Sequence, residues 1–567
     1  MVGLGSAFVL AILYWHLSFS RLGLEPILVP FFASLALAAL VRGLNTGRWY
    51  AFLLAGVALG GSLYTYKAGY LVPLIALLFV AWAAVAERGF LRRYRLGLLL
   101  VAAAAVLVAA PIAIYFATHP ANFWQRPASV ALVSGEAPAQ ASWQALGQNL
   151  SPVLSMFFLE GDANPRSNLP GRPALDPFLA SLFLVGLARS LVQFRRPARM
   201  LPLLWLGVMI LPTLMSRDAP HFGRAIGATP ALAVLCAVGG WSLWQGALRL
   251  PSRWASPWVR RALAVGLAAG LALSTVSTAQ AYFRTWGGSA SLFYAYDEGL
   301  VQVTDYMNAR PPGEDVYLSP TPADHFTLQY LARRPFSSFD GRHGFVLPAP
   351  GHAATYIVLV QEDGATLANL RQVAPQGSLV WNLADVAGQP YAAAYHVPAD
   401  GQDGHTLREL SLTPFGTTAG STDAVLGGAV RLLGYSLDGD TVAPGEELRL
   451  ALFWEVLEPL DQDYTAFTHL LGEYNPATGG PVWAGHDGQP DGGHYPTSTW
   501  QPGQIVIDVH SLQLPAETPR GLYPLEAGLY LLETLSRLPV TGSTGTPLPG
   551  DTVLLGTVEV RGASHEP

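Results

Sequence analysis

The chain has 567 residues, 51% of them hydrophobic and only 13% charged, against about a quarter charged in an ordinary soluble domain. Residues 1–281 hold 21 Lys+Arg and 7 Asp+Glu, a net of +14, whereas 282–567 hold 12 and 32, a net of −20; mean hydropathy is +0.31. An apolar, basic half joined to a polar, acidic half excludes a single globular enzyme and a disordered chain, and Cys236, the lone cysteine, excludes an internal disulfide framework or a cysteine-based metal site.

In chain order, the first half breaks into apolar windows separated by charges: 1–20, 26–41, 49–66, 68–86, 96–125, 177–194, 200–216, 225–248 and 262–283. A bilayer core needs about 20 apolar residues per helix, so nine spans are expected, the 177–194 window reaching that length with Arg189 snorkelling. No removable signal peptide is expected, because Met1 runs straight into an apolar stretch with no basic leader. Alternate connections carry Arg42 and Arg48; Arg88, Arg92, Arg93 and Arg95; Arg189, Arg195, Arg196 and Arg199; and Arg249, Arg253, Arg260 and Arg261. The positive-inside rule makes that side cytoplasmic, the N-terminus internal and residues 282–567 external. The chain then reads as a multi-pass plasma-membrane protein with an extracytoplasmic C-terminal half.

The opposite connections carry the residues capable of chemistry. Arg21 and Glu25 sit at a tight turn after Tyr14-Trp15-His16, either as an interfacial anchor or as part of a polar patch for a phosphate or sugar. Lys67, the only lysine of the chain, lies among Tyr64, Tyr66 and Tyr70 and either snorkels or binds a phosphate. The segment 119–175 is long for a connection. It opens on Asn122-Phe123-Trp124-Gln125-Arg126-Pro127, and from Trp143 to Phe158 its apolar residues recur at helical spacing, as in a helix lying in the interface. Glu160, Asp162, Asn164, Arg166 and Arg172 follow in a polar, glycine- and proline-rich run that suits either a ligand loop or an ordinary turn. In the last outer connection Arg224 opens a helix, where an arginine and free N–H groups together make an anion cradle; the alternative is an Arg217–Asp218 surface pair without a ligand.

The external half changes to Gly, Pro, Asp and Thr with short strands. Helices over 296–309 and 324–332 and strands over 315–318 and 354–360 predict a small α/β domain within 282–398, followed by a linker over 399–422. Strands over 425–437, 447–456, 464–471, 482–486, 505–514, 522–532 and 553–560 predict an all-β sandwich within 423–562. His469, His486, His494 and His510, with Asp487 and Asp491, match no standard metal spacing. Trp483, Tyr495 and Trp500 suit either sugar stacking or a sandwich core. A nucleic-acid partner is not expected for so acidic a face.

The Trp15-His16…Arg21-Leu22-Gly23 turn, the Leu63-Tyr64-Thr65-Tyr66…Pro73 turn, the Gly161-Asp162…Asn164-Pro165-Arg166…Asn168-Leu169-Pro170-Gly171-Arg172-Pro173 segment and the Asp218-Ala219-Pro220-His221-Phe222…Arg224-Ala225-Ile226-Gly227 segment together resemble the GT-C superfamily of integral-membrane glycosyltransferases. The likeness is to the family 39 and dolichyl-phosphate-mannose-transferase-like groups, and it covers 1 to about 281. The resemblance implies transfer of a sugar from a polyprenyl-phosphate carrier to a glycan, lipid or protein acceptor on the external face, among membrane lipids, with the divalent metal requirement left open. It implies that Arg224 and Lys67 hold the phosphate, that Arg21 and Glu25 occupy an outer loop, and that His221, Asn164 and Arg166 shape the sugar or acceptor site. The family's catalytic acid lies in a first outer loop to which nothing here corresponds. The first span aligns with the family's third helix, so the expectation is a gene model lacking two upstream helices or an inactive relative. Glu25, Asp162 and Asp218 are the candidate acids that remain. The competing readings are a membrane-anchored carbohydrate-binding or adhesion protein and, third, a transporter, for which intramembrane charge is too sparse.

Overall fold

The computed structural model describes residues 1–123, 139–249, 257–399 and 418–561, in two compact units, Met1–Ala295 and Tyr296–Pro567. Trp124 to Pro127, the Trp143 side chain, Arg253 and most of the expected 399–422 linker lie outside the described residues.

The first unit is helical. Among the described residues six helices are long and apolar enough to cross a membrane: Glu25–Thr46, Lys67–Ala86, Phe90–Thr118, Pro197–Leu214, Phe222–Leu248 and Pro257–Trp286. Val2–Ile12 and Tyr14–Leu22 would make a seventh, broken by a 64° bend where Leu13 turns extended. Two of the nine expected windows fold into shorter helices, Trp49–Ser62 and Pro177–Val192, of 14 and 16 residues; at 1.5 Å per residue they rise about 21 and 24 Å, less than a bilayer core of about 30 Å. The Pro177–Val192 helix starts sharply because Asp176 accepts from the Phe178 and Leu179 amides and Pro177 needs no partner for a missing N–H. It crosses Thr229–Leu248 backbone to backbone at Gly186 and Gly239, where any Cβ would strike the Leu235 or the Leu182 carbonyl oxygen. Small residues permit this approach between apolar helices. The expected interfacial helix is Ala139–Ser155; Val153, Met156 and Phe157 are buried, while Leu150 and Leu154 remain about half exposed.

The first unit extends past the expected boundary at 281. The Pro257–Gln280 helix runs on through the π-turn Ala281–Trp286, and Trp286 is buried against Tyr14 and Tyr282. Burial of a large aromatic holds this segment with the helices although its polar composition reads as external.

The second unit holds a five-stranded sheet in the order Ser337–Ser338, Asp315–Ser319, Ala354–Leu359, Pro390–Val397, Ser378–Ala384, the first three parallel and the others antiparallel. Two six-stranded β-sheets follow. One runs Val540–Thr541, Thr418–Leu426, Val430–Leu437, Glu447–Val456, Ile505–Gln513, Gly344–Leu347; the other runs Gly480–Gly488, Thr465–Asn475, Gly521–Leu531, Val553–Val560, Thr441–Val442, with Ser536–Arg537 beside it. Both contribute to one buried cluster, Leu450, Leu452 and Trp454 from the first and Ala466, Leu470 and Leu525 from the second. Three expectations are corrected here. The 425–437 strand is a hairpin, because Gly427 and Gly428 take φ of +59° and +72° and reverse the chain. Its first arm begins at Thr418, inside the expected linker. Gly344–Leu347, from the expected α/β domain, pairs with Ile505–Gln513, so the two external domains share a sheet and a core.

Candidate functional site

A cavity of ≈ 500 Å³ in the first unit is lined by Ser151, Ser155, Glu160, Asp162, Asn164, Asp218 and His221, among others. Two stretches of chain, 151–164 and 218–221, build it, and the helix Tyr14–Leu22 is the scaffold on which both are hung. The Tyr14 hydroxyl oxygen accepts from the Leu169 amide at 3.1 Å, and Ser18 Oγ donates to the Ser167 carbonyl at 3.2 Å. Trp15 donates from Nε1 to the Phe222 carbonyl at 3.2 Å and stacks on the Phe222 ring at 4.5 Å. Just before the first stretch, Asn149 Nδ2 ties it to the second by donating to the carbonyls of Leu214 and Ser216 at 2.9 and 2.8 Å.

Asp162 is the buried knot of the polar loop. Oδ1 accepts from the Asn164 amide at 2.8 Å, and Oδ2 accepts from Ser167 Oγ at 3.0 Å and from the Phe222 amide at 2.8 Å. Its carbonyl accepts from Asn168 Nδ2 at 2.7 Å. A carboxylate with this many donors is engaged in holding the loop against the start of the Phe222–Leu248 helix. Gly161 belongs to the same knot, since a Cβ there would run into the Arg172 carbonyl oxygen. Asn164, through Oδ1, accepts from the Arg166 amide at 2.9 Å and so shapes the turn while still lining the cavity.

Asp218 differs. Its side chain is 57% exposed and is paired with Arg224, whose own side chain is largely buried. Partial burial pushes the Asp218 carboxyl up, but the hydrogen bond and charge of Arg224 outweigh it and hold the group below the usual carboxylate range. His221 stands between the two acids, Nδ1 at 4.0 Å from Asp162 Oδ2 and Nε2 at 3.9 Å from Asp218 Oδ2. Burial lowers its pKa, against the opposing pull of Asp162, which favours a neutral imidazole. Its Nδ1 is buried without a hydrogen-bond partner among the described residues. The arrangement offers an exposed, ionised carboxylate beside a neutral histidine, a pairing able to accept and pass a proton.

The other expected residues lie elsewhere. Arg21 is exposed and sits over the Tyr282 and Phe283 rings at 5.9 and 5.2 Å; Glu25 opens the turn Glu25–Ile27, exposed and without an ion pair among the described residues. Lys67 donates to the Phe123 carbonyl at 3.0 Å, and Arg166 donates from Nε to the Ala295 carbonyl at 2.7 Å. The structure therefore gathers Asp162, Asn164, Asp218, His221 and Arg224, while Arg21 meets aromatic rings and Lys67 and Arg166 each donate to a backbone carbonyl. Sequence reasoning missed Ser151 and Ser155 in the cavity wall, and Trp286, which donates to the Pro165 carbonyl at 3.0 Å. The helical spacing over 143–158 was the available signal for the first two.

In the second unit the four histidines do not form one cluster; three of them fall into separate pairings. His469 bridges Asp487 at 3.0 Å and Glu526 at 3.2 Å, and His510 meets Asp508 at 2.7 Å with His486 packed against its ring at 4.5 Å. Among the described residues no group of three or more His, Cys, Asp or Glu side chains is placed to hold a metal ion. Tyr495 and Trp500 are buried core residues, so the sandwich reading of these aromatics holds and the sugar-stacking one does not; Trp483 packs at the core's edge.

No protein-family model matches the chain, and no curated protein matches it. Among solved structures, a Pseudomonas fluorescens alkylpurine DNA glycosylase AlkC, bound to DNA containing an abasic site analogue, is similar over 75% of this chain and 99% of its own, at 10% identity and a TM-score of 0.16. A likeness at that score carries no argument about fold or function.

Proposed function

We propose that the chain is a membrane glycosyltransferase that moves a sugar from a polyprenyl-phosphate carrier to an acceptor hydroxyl, with Asp218 as the base. The observation that carries this reading is the cavity in which Asp218, held ionised by Arg224, faces His221 and Asn164 at the ends of apolar helices. The four connections assigned to one membrane face are also tied to one another: Tyr14 to Leu169, Asn149 to Ser216, Asp162 to Phe222 and Lys67 to Phe123. That convergence supports a common face for these connections, with the arginine-rich connections on the cytoplasmic side of a plasma membrane and the acidic half outside.

In the reaction the Asp218 carboxylate takes the proton of the acceptor hydroxyl as that oxygen bonds to the anomeric carbon. The bond from that carbon to the carrier phosphate oxygen breaks, and its electron pair leaves with the phosphate. Arg224 keeps Asp218 deprotonated through one Nη and offers its remaining N–H groups to the leaving phosphate. Neutral His221, beside Asp218, relays the proton outward.

The test uses the full chain in proteoliposomes with polyprenyl-phosphate mannose and polyprenyl-phosphate glucose labelled in the sugar, following release of the label from the carrier. Asp218→Asn is expected to slow release by about 10²–10⁴-fold, far beyond the modest loss of stability expected when Arg224 loses its partner. Wild-type rates in that variant, or no consumption of either donor by the wild type, would refute the reading.

A further inference from the structure

The second unit contains a cavity that the transfer reaction leaves unused. Its volume is ≈ 440 Å³, and it lies beyond the carboxyl end of the strand Asp315–Ser319 and along the parallel edge strand Ser337–Ser338, walled by Pro322, Asp324, Phe336, Ser337, His494 and Thr499 among others. Ligands of open α/β sheets bind outside the carboxyl ends of parallel strands, because the following loops are free to carry polar groups there. The opposite wall is a loop held in shape before any ligand arrives. Asp491, Gly492 and Gly493 take φ of +56°, +60° and +85° in succession, and for Asp491 that conformation persists because its surroundings over-determine it. Asp491 Oδ2 accepts from the Asp340 amide at 2.7 Å, its own amide donates to Asp508 Oδ1 at 3.0 Å, and its carbonyl accepts from the His494 amide at 3.1 Å.

The lining identifies the chemistry. Among the described residues it contains no arginine or lysine, which disfavours phosphate and other anions. It offers a carboxylate, three hydroxyl side chains (Ser337, Ser338 and Thr499) and an imidazole, beside the apolar surfaces of Phe336, Pro322 and Pro496. His494 Nδ1 is buried and has no hydrogen-bond partner among the described residues, a state that costs free energy unless a ligand group or water meets it. The helix Phe326–Leu331, two residues beyond Asp324, carries Phe326 and Tyr330 one turn apart, 86% and 88% exposed; rings so bare on a soluble surface mark a contact surface. Hydroxyls to satisfy on one side and flat apolar faces on the other are the features of a neutral sugar ring. We propose that this cavity binds a neutral saccharide, with Asp324 and His494 bonding its hydroxyls and Phe336 against its apolar face.

The proposal goes beyond the transfer reaction, and its readout is equilibrium binding, so its failure and that of the Asp218 reading are distinguishable. Full-length chain in nanodiscs would be titrated with tetrasaccharides of glucose, mannose and N-acetylglucosamine, with binding followed by calorimetry and saturation-transfer NMR. At least one is expected to bind, and the Asp324→Ala/His494→Ala double variant to lose tenfold or more in affinity with the thermal midpoint unchanged. Tyr330→Ala is the second probe of the same surface, expected to weaken the tetrasaccharide more than the monosaccharide. Absence of binding by all three sugars, or equal binding by the double variant, overturns the proposal. So does a result in which the same substitutions abolish adhesion to protein-free vesicles while no sugar is bound.

Discussion

Asp162 and Asp218 line one cavity, and a single isosteric change separates a carboxylate that holds the fold from the one proposed as the base. In Asp162→Asn one of the two oxygens becomes an N–H donor. If the amide oxygen faces Phe222 N and Ser167 Oγ, the Asn164 amide, 2.8 Å away, loses its acceptor; if it turns over, the buried Phe222 amide does. An orphaned buried donor costs about 1–3 kcal/mol, and replacing charged by neutral acceptance weakens the bonds that survive, for a total of about 2–4 kcal/mol. Thermal unfolding of the full chain in nanodiscs, read by tryptophan fluorescence, should show a midpoint lowered by several degrees. Tryptic cleavage after Arg166, which lies in the loop that Asp162 ties down, should accelerate as that loop opens. Asp218→Asn, whose carboxylate is paired with Arg224 and not with that loop, should leave the cleavage unchanged and lower the midpoint by less. An Asp162→Asn protein with wild-type stability and cleavage but no sugar release would refute the assignment and make Asp162 the reacting acid.

Three further outcomes follow from other parts of the molecule. Burial lowers the His469 pKa, but hydrogen bonds to Asp487 and Glu526 outweigh it and raise it from 6.5 to about 9, while the His469 bond holds the Asp487 and Glu526 carboxyls below 3.8 and 4.5. The histidine's contribution is whole below pH 6.5 and lost as the pH rises through about 9. The carboxylates' contribution is whole above 4.5 and lost on acidification. With solvent screening of the partly exposed Asp487, the alkaline loss should be about 1–2 kcal/mol, and His469→Gln should flatten the pH dependence of the thermal midpoint between 6.5 and 9; an unchanged slope would remove the triad from the account. Gly186→Ala should destabilise by about 1–3 kcal/mol because its Cβ meets the Leu235 carbonyl, whereas Gly266→Ala, with nothing within 4 Å of its Cβ, should stabilise its helix by about 0.5–1 kcal/mol; equal thermal midpoints would contradict the close crossing. Arg224→Ala should shift the acid limb of the sugar-release profile to higher pH, because Asp218 loses the partner that keeps it ionised; an unmoved limb would mean that Asp218 is not the titrating group.

Hydropathy and charge were enough to separate an apolar basic half from a polar acidic one, since burial in lipid and exposure to water demand different residues locally. Alternation was enough for strands such as Glu447–Val456 and Val553–Val560, because one face of a strand is decided residue by residue. A glycine pair inside an apolar run was not, and Gly427-Gly428 divided one expected strand into two. For the site, the sequence singled out both Asp162 and Asp218 as outward-facing acids, but it held no sign of which was free. That depended on the amide of Phe222, 60 residues away, reaching Asp162, and on Arg224 turning to Asp218. Likewise Tyr14 meets Leu169 across 155 residues. Residue types, periodicity and charge are local properties and were legible in the chain itself; which buried donor meets which carboxylate is a matter of distance in space, and only the packing of the helices decided it.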